Sequence, residues 1–238
     1  MTIKIWAASK QGPRDENQDC ILTNGWMSAG DAEYFQEIDQ ADLDKPLLVA
    51  IFDGMGGYTG GAFASHTAAF TMSLSQPQNE LEIQKAVDKT NRELLNFTAS
   101  NPKYAQMGCT FTGVLVTETS FTIAHVGDSP AYRFMHGVLA PLIELDRVPS
   151  PRNPSRYVLT QAIGRENIAC RPETFPINSP LTLLLCSDGV TDVLSDEQLS
   201  KLLPATDPAH EIVSTALTSG TSDNTTAVVI EISPRERN

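Results

Sequence analysis

The chain has 238 residues, 41% of them hydrophobic, and its 17 basic and 29 acidic side chains give a formal net charge of −12. An acidic surface repels phosphate backbones, and no local basic patch offsets it, so we expect no nucleic-acid partner. The sequence shows no long apolar span, no signal peptide and no C-x-x-C pair among its four cysteines, so we expect a cytoplasmic protein without a membrane partner or a zinc site.

The first half of the chain predicts a strand, a long acidic loop, a second strand and two helices. The strand at 2–8 alternates apolar and polar residues, whereas 47–52 is continuously apolar. Residues 25–46 carry six acids and predict a solvated loop. Small residues predict a helix over 62–74. Asn79 and Glu82 form a capping-box-like start to the next helix, whose core contacts at helical spacing are Ile83, Val87, Leu94 and Phe97.

The second half predicts antiparallel strands followed by a pair of short helices. The strands fall at 109–117, 120–128, 131–137, 181–189 and 225–232. Ser195 with Gln198, and Asp207 with Pro208, mark the two helix starts. Strands cluster in the middle and helices come in pairs, and no linker divides the chain. We therefore expect one α+β domain over 1–238.

Acids recur where predicted strands end. They are Asp19, Asp53, Asp128, Asp188 and Asp223, most of them beside a glycine. One such Asp is ordinarily a turn residue. Several are harder to explain that way, because strands of one sheet bring their ends together. Clustered carboxylates repel each other unless a cation lies between them, and oxygen ligands without His or Cys suit Mg²⁺ or Mn²⁺.

The residues around these acids extend the hypothesis. Gly54 lets a backbone carbonyl approach a metal, and Gly56 and Gly57 permit a positive φ and a sharp turn. Arg14, five residues before Asp19, can hold a phosphate through two parallel hydrogen bonds. An ordinary glycine turn and an ordinary surface arginine remain the alternatives.

Seven segments resemble the metal-dependent serine/threonine protein phosphatases of the type-2C (PPM) family in its compact bacterial form. They occur in family order and span nearly the whole chain: RDENQD (14–19), FDGMGG (52–57), GCTFTGVLV (108–116), HVGDSPAY (125–132), LTQAIG (159–164), LLCSDGVTD (184–192) and SDNTTAVVI (222–230). The resemblance implies a β-sandwich of two antiparallel sheets flanked by helix pairs, in four α/β/β/α layers, with a shortened flap subdomain.

The resemblance also implies the site. Asp53 would bridge two Mn²⁺ or Mg²⁺ ions, and Asp19, the Gly54 carbonyl, Asp188 and Asp223 would complete their ligands with water. Asp128 with Asp188 matches the position of a weaker third ion. Arg14 would bind the substrate phosphate. The implied activity is hydrolysis of phosphoserine and phosphothreonine by a metal-activated water, without a phospho-enzyme, on the protein substrates of a cognate kinase.

Three residues and one segment depart from the family pattern. Met55 stands where some relatives have a histidine proposed as general acid, Pro130 replaces an arginine, and Gln18 replaces an acid. The segment from Gly137 to Tyr157 is short, and its prolines oppose a helix. We expect it to form an open, irregular rim beside the cleft.

Two other functions remain open on the sequence. A degenerate relative could bind phosphoproteins without turnover, although the expected acids are all present. A two-metal phosphoesterase acting on small phosphomonoesters is excluded only by the family resemblance.

Overall fold

The computed structural model describes residues 1–39, 43, 45–56, 60–152 and 157–234. Its strands are β1 Thr2–Lys10, β2 Asp19–Thr23, β3 Trp26–Met27, β4 Ala32–Asp39, β5 Leu47–Met55, β6 Gly108–Cys109, β7 Phe111–Val116, β8 Ser120–Val126, β9 Ala131–Met135, β10 Val138–Pro141, β11 Arg147–Pro149, β12 Tyr157–Leu159, β13 Glu173–Pro176, β14 Leu181–Cys186 and β15 Thr225–Ser233. The helices are α1 Gly61–Ser75, α2 Glu80–Ser100, α3 Asp188–Thr191, α4 Asp196–Leu202 and α5 Pro208–Thr218, with a short 3-10 helix at Pro102–Tyr104.

Two antiparallel sheets form the centre of the molecule. The first sheet has the order β10-β9-β14-β15-β1-β4, and the second has the order β13-β8-β7-β5-β2-β3, with β6 paired to β5. Strands β11 and β12 form a separate hairpin. The chain passes from the first sheet to the second through residues 11–18, which join β1 to β2.

Burial divides the core into three apolar clusters, which confirms the four-layer α/β/β/α fold. One cluster fills the space between the two sheets and includes Ile5, Val49 and Ile230. A second lies between the second sheet and helices α1 and α2, and a third lies between the first sheet and helices α4 and α5. Because each sheet is covered on both faces, its central strands are continuously apolar.

The helix starts agree with the sequence. The Asn79 side chain accepts a hydrogen bond from the Glu82 amide, and Ser195 and Gln198 form a reciprocal capping box. Asp207 caps α5 by accepting from the His210 amide. No helix in the described residues combines the length and the apolar character needed to cross a bilayer.

The predicted loop over 25–46 is wrong, because it contains the strands β3 and β4. Strand β4 pairs with β1 along its length, and its residues alternate between more and less exposed positions. Glu33, Phe35 and Glu37 take the exposed positions, while Tyr34 points inward and stacks on Trp26 with ring centres 4.5 Å apart. The acids mark the solvent side of an edge strand. Residues 40–42 and 44 lie outside the described residues.

The predicted irregular rim is wrong in part. No helix occurs in the described residues of the segment from Gly137 to Tyr157, as expected, but Arg147–Pro149 pairs in register with Tyr157–Leu159 as a hairpin. Proline is tolerated there because it lies on an edge strand. Pro154 lies outside the described residues.

Candidate active site

The predicted acids lie together at one end of the sandwich. Asp19 opens β2 and is the direct cross-strand partner of Asp53 near the end of β5. Asp188 is the first residue of α3, directly beyond β14, and Asp223 lies just before β15. Asp128 follows β8. Both sheets therefore contribute carboxylates to the same place.

A cleft of about 620 Å³ opens onto this end of the molecule. Four of the acids line it, together with Arg14, and those acids are Asp53, Asp128, Asp188 and Asp223. Asp19 is 1% exposed and is not among the lining residues. Five of the sequence-predicted side chains thus line one cleft, and Asp19 is buried beside one of them as the cross-strand partner of Asp53.

A buried polar network fixes the Asp19 carboxylate. The Thr226 hydroxyl donates to Asp19 Oδ2 at 2.6 Å, and it also shares a hydrogen bond with the Ser9 hydroxyl at 2.8 Å. The Thr226 amide donates to the Ser187 hydroxyl at 3.0 Å. Asp19 Oδ1 is buried and has no hydrogen-bond partner in the described part of the chain. One carboxylate oxygen is held in place and the other remains available to a ligand.

Thr110 fixes the backbone at Asp53. Its amide donates to the Asp53 carbonyl at 2.8 Å, and its hydroxyl accepts from the Asp53 amide at 3.0 Å. The Ser129 hydroxyl shares a hydrogen bond with the same Thr110 oxygen at 2.7 Å. Strand β5 therefore ends in a defined position, which sets the direction of the Asp53 side chain.

The carboxylates raise each other's pKa. The pKa of Asp19 is raised to about 6, chiefly by burial and also by the Asp223 carboxylate, while the hydrogen bond from Thr226 partly offsets the rise. Burial also raises the pKa of Asp188 to about 7, with Asp128 and Asp223 contributing. The pKa of Asp53 is well above its ordinary value for the same two reasons, burial first and then its four acidic neighbours. This concentration of negative charge favours a bound cation.

The donor set fits a hard divalent cation that takes part of its coordination from other sources. Among the described residues, no three His, Cys, Asp or Glu side chains are grouped so as to hold one ion by themselves. Mg²⁺ usually keeps several waters and takes only one or two carboxylates, so the acids present fit such ions with water and backbone oxygens completing the shell. The unpartnered Asp19 Oδ1 supports this assignment.

The glycines have structural roles beside the predicted one. A Cβ on Gly54 would lie 2.4 Å from the Gly61 carbonyl oxygen and 2.7 Å from the Gln18 carbonyl oxygen, so only glycine lets β5 approach the start of α1. Gly56 has a φ of +123°, which confirms the predicted positive φ. Gly57 lies outside the described residues.

Arg14 lies at the edge of the cleft. Its Nη2 atom is 2.5 Å from Asp223 Oδ2, and its Nε donates to the Ser222 carbonyl at 3.0 Å. The side chain is 53% exposed, so the guanidinium retains a face toward the cleft and solvent. Its only ion-pair partner within the described residues is one of the predicted metal ligands.

The sequence and the fold match a known family. The family model described as Protein phosphatase 2C matches residues 31–221. The chain belongs to the protein phosphatase 2C family. This confirms the family resemblance, and the matched range contains five of the seven sequence segments.

Individual relatives agree with the family assignment. Serine/threonine phosphatase stp from Listeria innocua is 27% identical over 216 residues, which cover 79% of this chain and 85% of that protein. The PPM Ser-Thr phosphatase MsPP from Mycobacterium smegmatis, solved with cacodylate, is 27% identical with a TM-score of 0.74, over 95% of this chain and 97% of the other. The catalytic domain of PstP, solved with two manganese ions, shares the fold with a TM-score of 0.78 at 24% identity, over 97% and 99% of the two chains.

Asn224 is a site residue that the sequence did not reveal. Its Oδ1 accepts from the Gln18 amide at 2.9 Å, and its Nδ2 donates to the carbonyls of Gln11 and Glu16 at 2.8 and 2.9 Å. One side chain thus holds the loop that carries Arg14 against the start of β15. Thr226 was missed as well. The available indication was the polar pair Thr225-Thr226 at the start of an otherwise apolar strand.

The departures from the family pattern have defined surroundings. Met55 lines the cleft. The Pro130 carbonyl accepts from the Cys186 amide at 3.2 Å, so Pro130 helps to join β9 to β14. The Gln18 side chain donates to Glu16 Oε1 at 2.6 Å beside the cleft.

Proposed function

We propose that this chain hydrolyses phosphoserine and phosphothreonine in phosphoproteins with the help of bound Mn²⁺ or Mg²⁺. The observation that carries the proposal is the convergence of carboxylates from both sheets on one cleft, with a guanidinium at its edge. The family membership and the named relatives support the same activity.

Each acid has a proposed role. Asp53, Asp19, Asp188, Asp223 and the Gly54 carbonyl would hold two ions with water, with Asp53 as the shared ligand, and Asp128 with Asp188 would hold a weaker third. PstP, a relative in fold, carries two manganese ions. When bound, such ions lower the pKa of a water for attack on phosphorus and stabilise the developing negative charge, so no phospho-enzyme is required.

The remaining chemistry belongs to Arg14 and Met55. We assign to Arg14 the binding of the phosphate, because a guanidinium can hold two phosphate oxygens at once. Its contact with Asp223, a proposed ion ligand, supports this role. Met55 lines the cleft but has no proton to give, so no side chain at that position protonates the leaving oxygen.

The cleft is open, with the β11–β12 hairpin at its rim through Tyr157 and Leu159. An open cleft favours loose selection, so small aryl phosphates would be accepted along with phosphopeptides. The protein substrates would be those of a cognate serine/threonine kinase in the cytoplasm, and residues 1–238 would act as one phosphatase domain.

The test compares substrate classes under metal control. Purified protein treated with chelator is assayed on phosphoserine and phosphothreonine peptides and on small phosphomonoesters, with and without added Mn²⁺. Metal-dependent release of phosphate from the peptides supports the proposal. Activity on small phosphomonoesters alone would make the chain a small-molecule phosphoesterase. Peptide binding without turnover would make it a phosphoprotein-binding regulator.

A further inference from the structure

Asp146 lies directly before β11, outside the set of acids that line the cleft. Its Oδ2 accepts from the Gly127 amide at 2.9 Å, and its Oδ1 accepts from Gln161 Nε2 at 2.6 Å. The nearest imidazole nitrogen, Nδ1 of His125, is 3.8 Å from Oδ2, which is too long for a hydrogen bond. Each oxygen of the carboxylate therefore accepts one hydrogen bond, Oδ2 from Gly127 and Oδ1 from Gln161.

The backbone of Asp146 forms hydrogen bonds to the same two parts of the chain, at Gly127 and at Thr160 beside Gln161. Its amide donates to the Gly127 carbonyl at 2.8 Å, and its carbonyl accepts from the Thr160 amide at 2.7 Å. Gly127 is thus bound to Asp146 through both its amide and its carbonyl. Thr160 and Gln161 directly follow β12, so the same residue also fixes the base of the β11–β12 hairpin.

Gly127 precedes Asp128 and controls its direction. Gly127 has a φ of +117°, and a Cβ there would lie 2.7 Å from Thr110 Cγ2. Glycine adopts this conformation without strain but is equally free to adopt many others, so hydrogen bonds are needed to select one of them. The two hydrogen bonds to Asp146 supply that support at the residue next to Asp128.

Arg147, the first residue of the hairpin, also acts on Asp128 through its charge. Arg147 follows Asp146, and its guanidinium carbon lies 4.4 Å from the centre of the Tyr157 ring. Burial raises the pKa of Asp128, and the positive charge of Arg147 opposes that rise. A charge on the hairpin therefore acts on Asp128, in addition to the hydrogen bonds between Asp146 and Gly127.

We propose that Asp146 is a positioning residue that holds Asp128 in place for the weakest of the bound cations and couples it to the β11–β12 hairpin. This rests on the proposed function, since it assigns Asp128 to a third ion. Asp146 itself touches neither substrate nor ion. It acts through the Gly127 peptide.

The first experiment measures ion binding directly. Chelator-treated wild type, D146A and D128A are titrated with Mn²⁺ by calorimetry, and turnover of p-nitrophenyl phosphate is followed as Mn²⁺ is added. Partners of ligand residues typically contribute about 10–100-fold to metal affinity or activity. We expect D146A to weaken the lowest-affinity binding event by about that factor, to lower kcat and to leave KM and the tighter events unchanged. An unchanged weak event would overturn the proposal.

A double-mutant cycle separates positioning from a general structural role. If Asp146 acts through Asp128, D146A has no further effect on the weak event in a D128A background, whereas independent effects would add. Full additivity would overturn the proposal. E144A is the matched control, because Glu144 is an exposed acid on the same segment, and we expect it to behave as wild type.

A rescue variant covers the case in which D146A does not fold. D146N directs an amide donor at Gln161 Nε2, also a donor, whereas D146N/Q161E restores a donor–acceptor pair and keeps an oxygen for the Gly127 amide. We expect the double variant to regain the weak binding event that D146N loses. Failure of this rescue in a folded double variant would contradict the assignment.

Amide exchange at Gly127 in the metal-free protein gives an independent readout. It should be faster in D146A, which lacks the acceptor for the Gly127 amide, than in wild type, and equal rates would argue against the assignment. Should wild type hydrolyse no phosphate ester, the proposed function fails, whereas calorimetry and amide exchange still test Asp146.

Discussion

Arg14 Nη2 and Asp223 Oδ2 lie 2.5 Å apart, so the proposed phosphate-binding cation is paired with a proposed metal ligand. The contact joins the loop after β1 to the residues just before β15. A cation at Asp223 would compete with Arg14 for the carboxylate and leave the guanidinium to the substrate phosphate. Occupation of the two sites should therefore be coupled.

Removal of the ions should abolish turnover. We expect chelator treatment to remove phosphatase activity on a phosphopeptide, and Mn²⁺ or Mg²⁺ to restore it, because the buried acids repel one another without a cation. The rate is measured as each metal is added back. Full activity in protein shown to be metal-free would contradict the proposed mechanism.

Replacement of Arg14 should weaken phosphate binding. A hydrogen bond to a charged group contributes roughly 1.5–3 kcal/mol, so R14A should lose about tenfold to a hundredfold in kcat/KM on a phosphopeptide. R14K keeps the charge but not the paired donors, and we expect its kcat/KM to lie between those of R14A and wild type. Unchanged efficiency in R14A would show that Arg14 is only a surface charge.

Asp53→Asn should nearly eliminate turnover while the fold survives. The amide is close to the carboxylate in size, but it lacks the charge that a ligand shared by two ions needs. In metal-free protein the substitution should not lower the Tm, since the neutral amide cannot add to the repulsion among the neighbouring acids. Circular dichroism, a thermal melt and the phosphopeptide assay check these points. A wild-type rate would remove Asp53 from the site.

The role of the Thr226 hydroxyl can be tested by comparing its removal with removal of the neighbouring Thr225 hydroxyl. T226V removes the donor to Asp19, and we expect Mn²⁺ affinity to fall about 10–100-fold. T225V is the matched control, because Thr225 is equally buried and its hydroxyl has no partner in the described residues. T225V should keep the affinity and leave the protein as stable as wild type or more so. Equal effects of the two substitutions on Mn²⁺ affinity would refute a specific role for Thr226.

The metal-free protein should lose stability as the pH rises. Asp19 and Asp188 have pKa values of about 6 and about 7, both above the ordinary 3.8. For a group whose pKa is raised on folding, the favourable contribution is present below the unfolded pKa and is lost as the pH passes the folded pKa. The stabilisation produced by Mn²⁺ should therefore be larger at pH 8 than at pH 5, which thermal melts with and without the ion will measure. An equal rise in Tm on adding Mn²⁺ at pH 5 and at pH 8 would contradict the link to these acids.

Much of the fold was predictable because apolar periodicity and capping residues are local in sequence. The run 47–52 and the starts at Asn79, Ser195 and Asp207 needed no tertiary information. Strand β4 was missed because its acids suggested a loop, although they lie on the exposed side of an edge strand. Strands β11 and β12 are three residues each, and pairing rather than pattern defines them.

The site was predictable only as a set of acids. Repetition of Asp at strand ends indicated the cluster, and the family motifs assigned the roles. The hydrogen bonds to Asp19, to Gly127 beside Asp128 and to the Arg14 loop come from Thr226, Asp146 and Asn224, which are not their neighbours in sequence. No local pattern marks such contacts, since they depend on which strands become neighbours.

The acids come from both sheets, with Asp19 and Asp53 on the second and Asp188 and Asp223 next to strands of the first. Without a cation, the carboxylates contributed by the two sheets repel each other at this end of the molecule. An ion held by carboxylates from both layers is a crosslink between them, comparable to a disulfide that joins distant segments. Loss of the ions should therefore loosen the mechanical connection between the two halves of the sandwich as well as stop catalysis. Faster amide exchange at the ends of both β2 and β15 after removal of the ions would show this loosening.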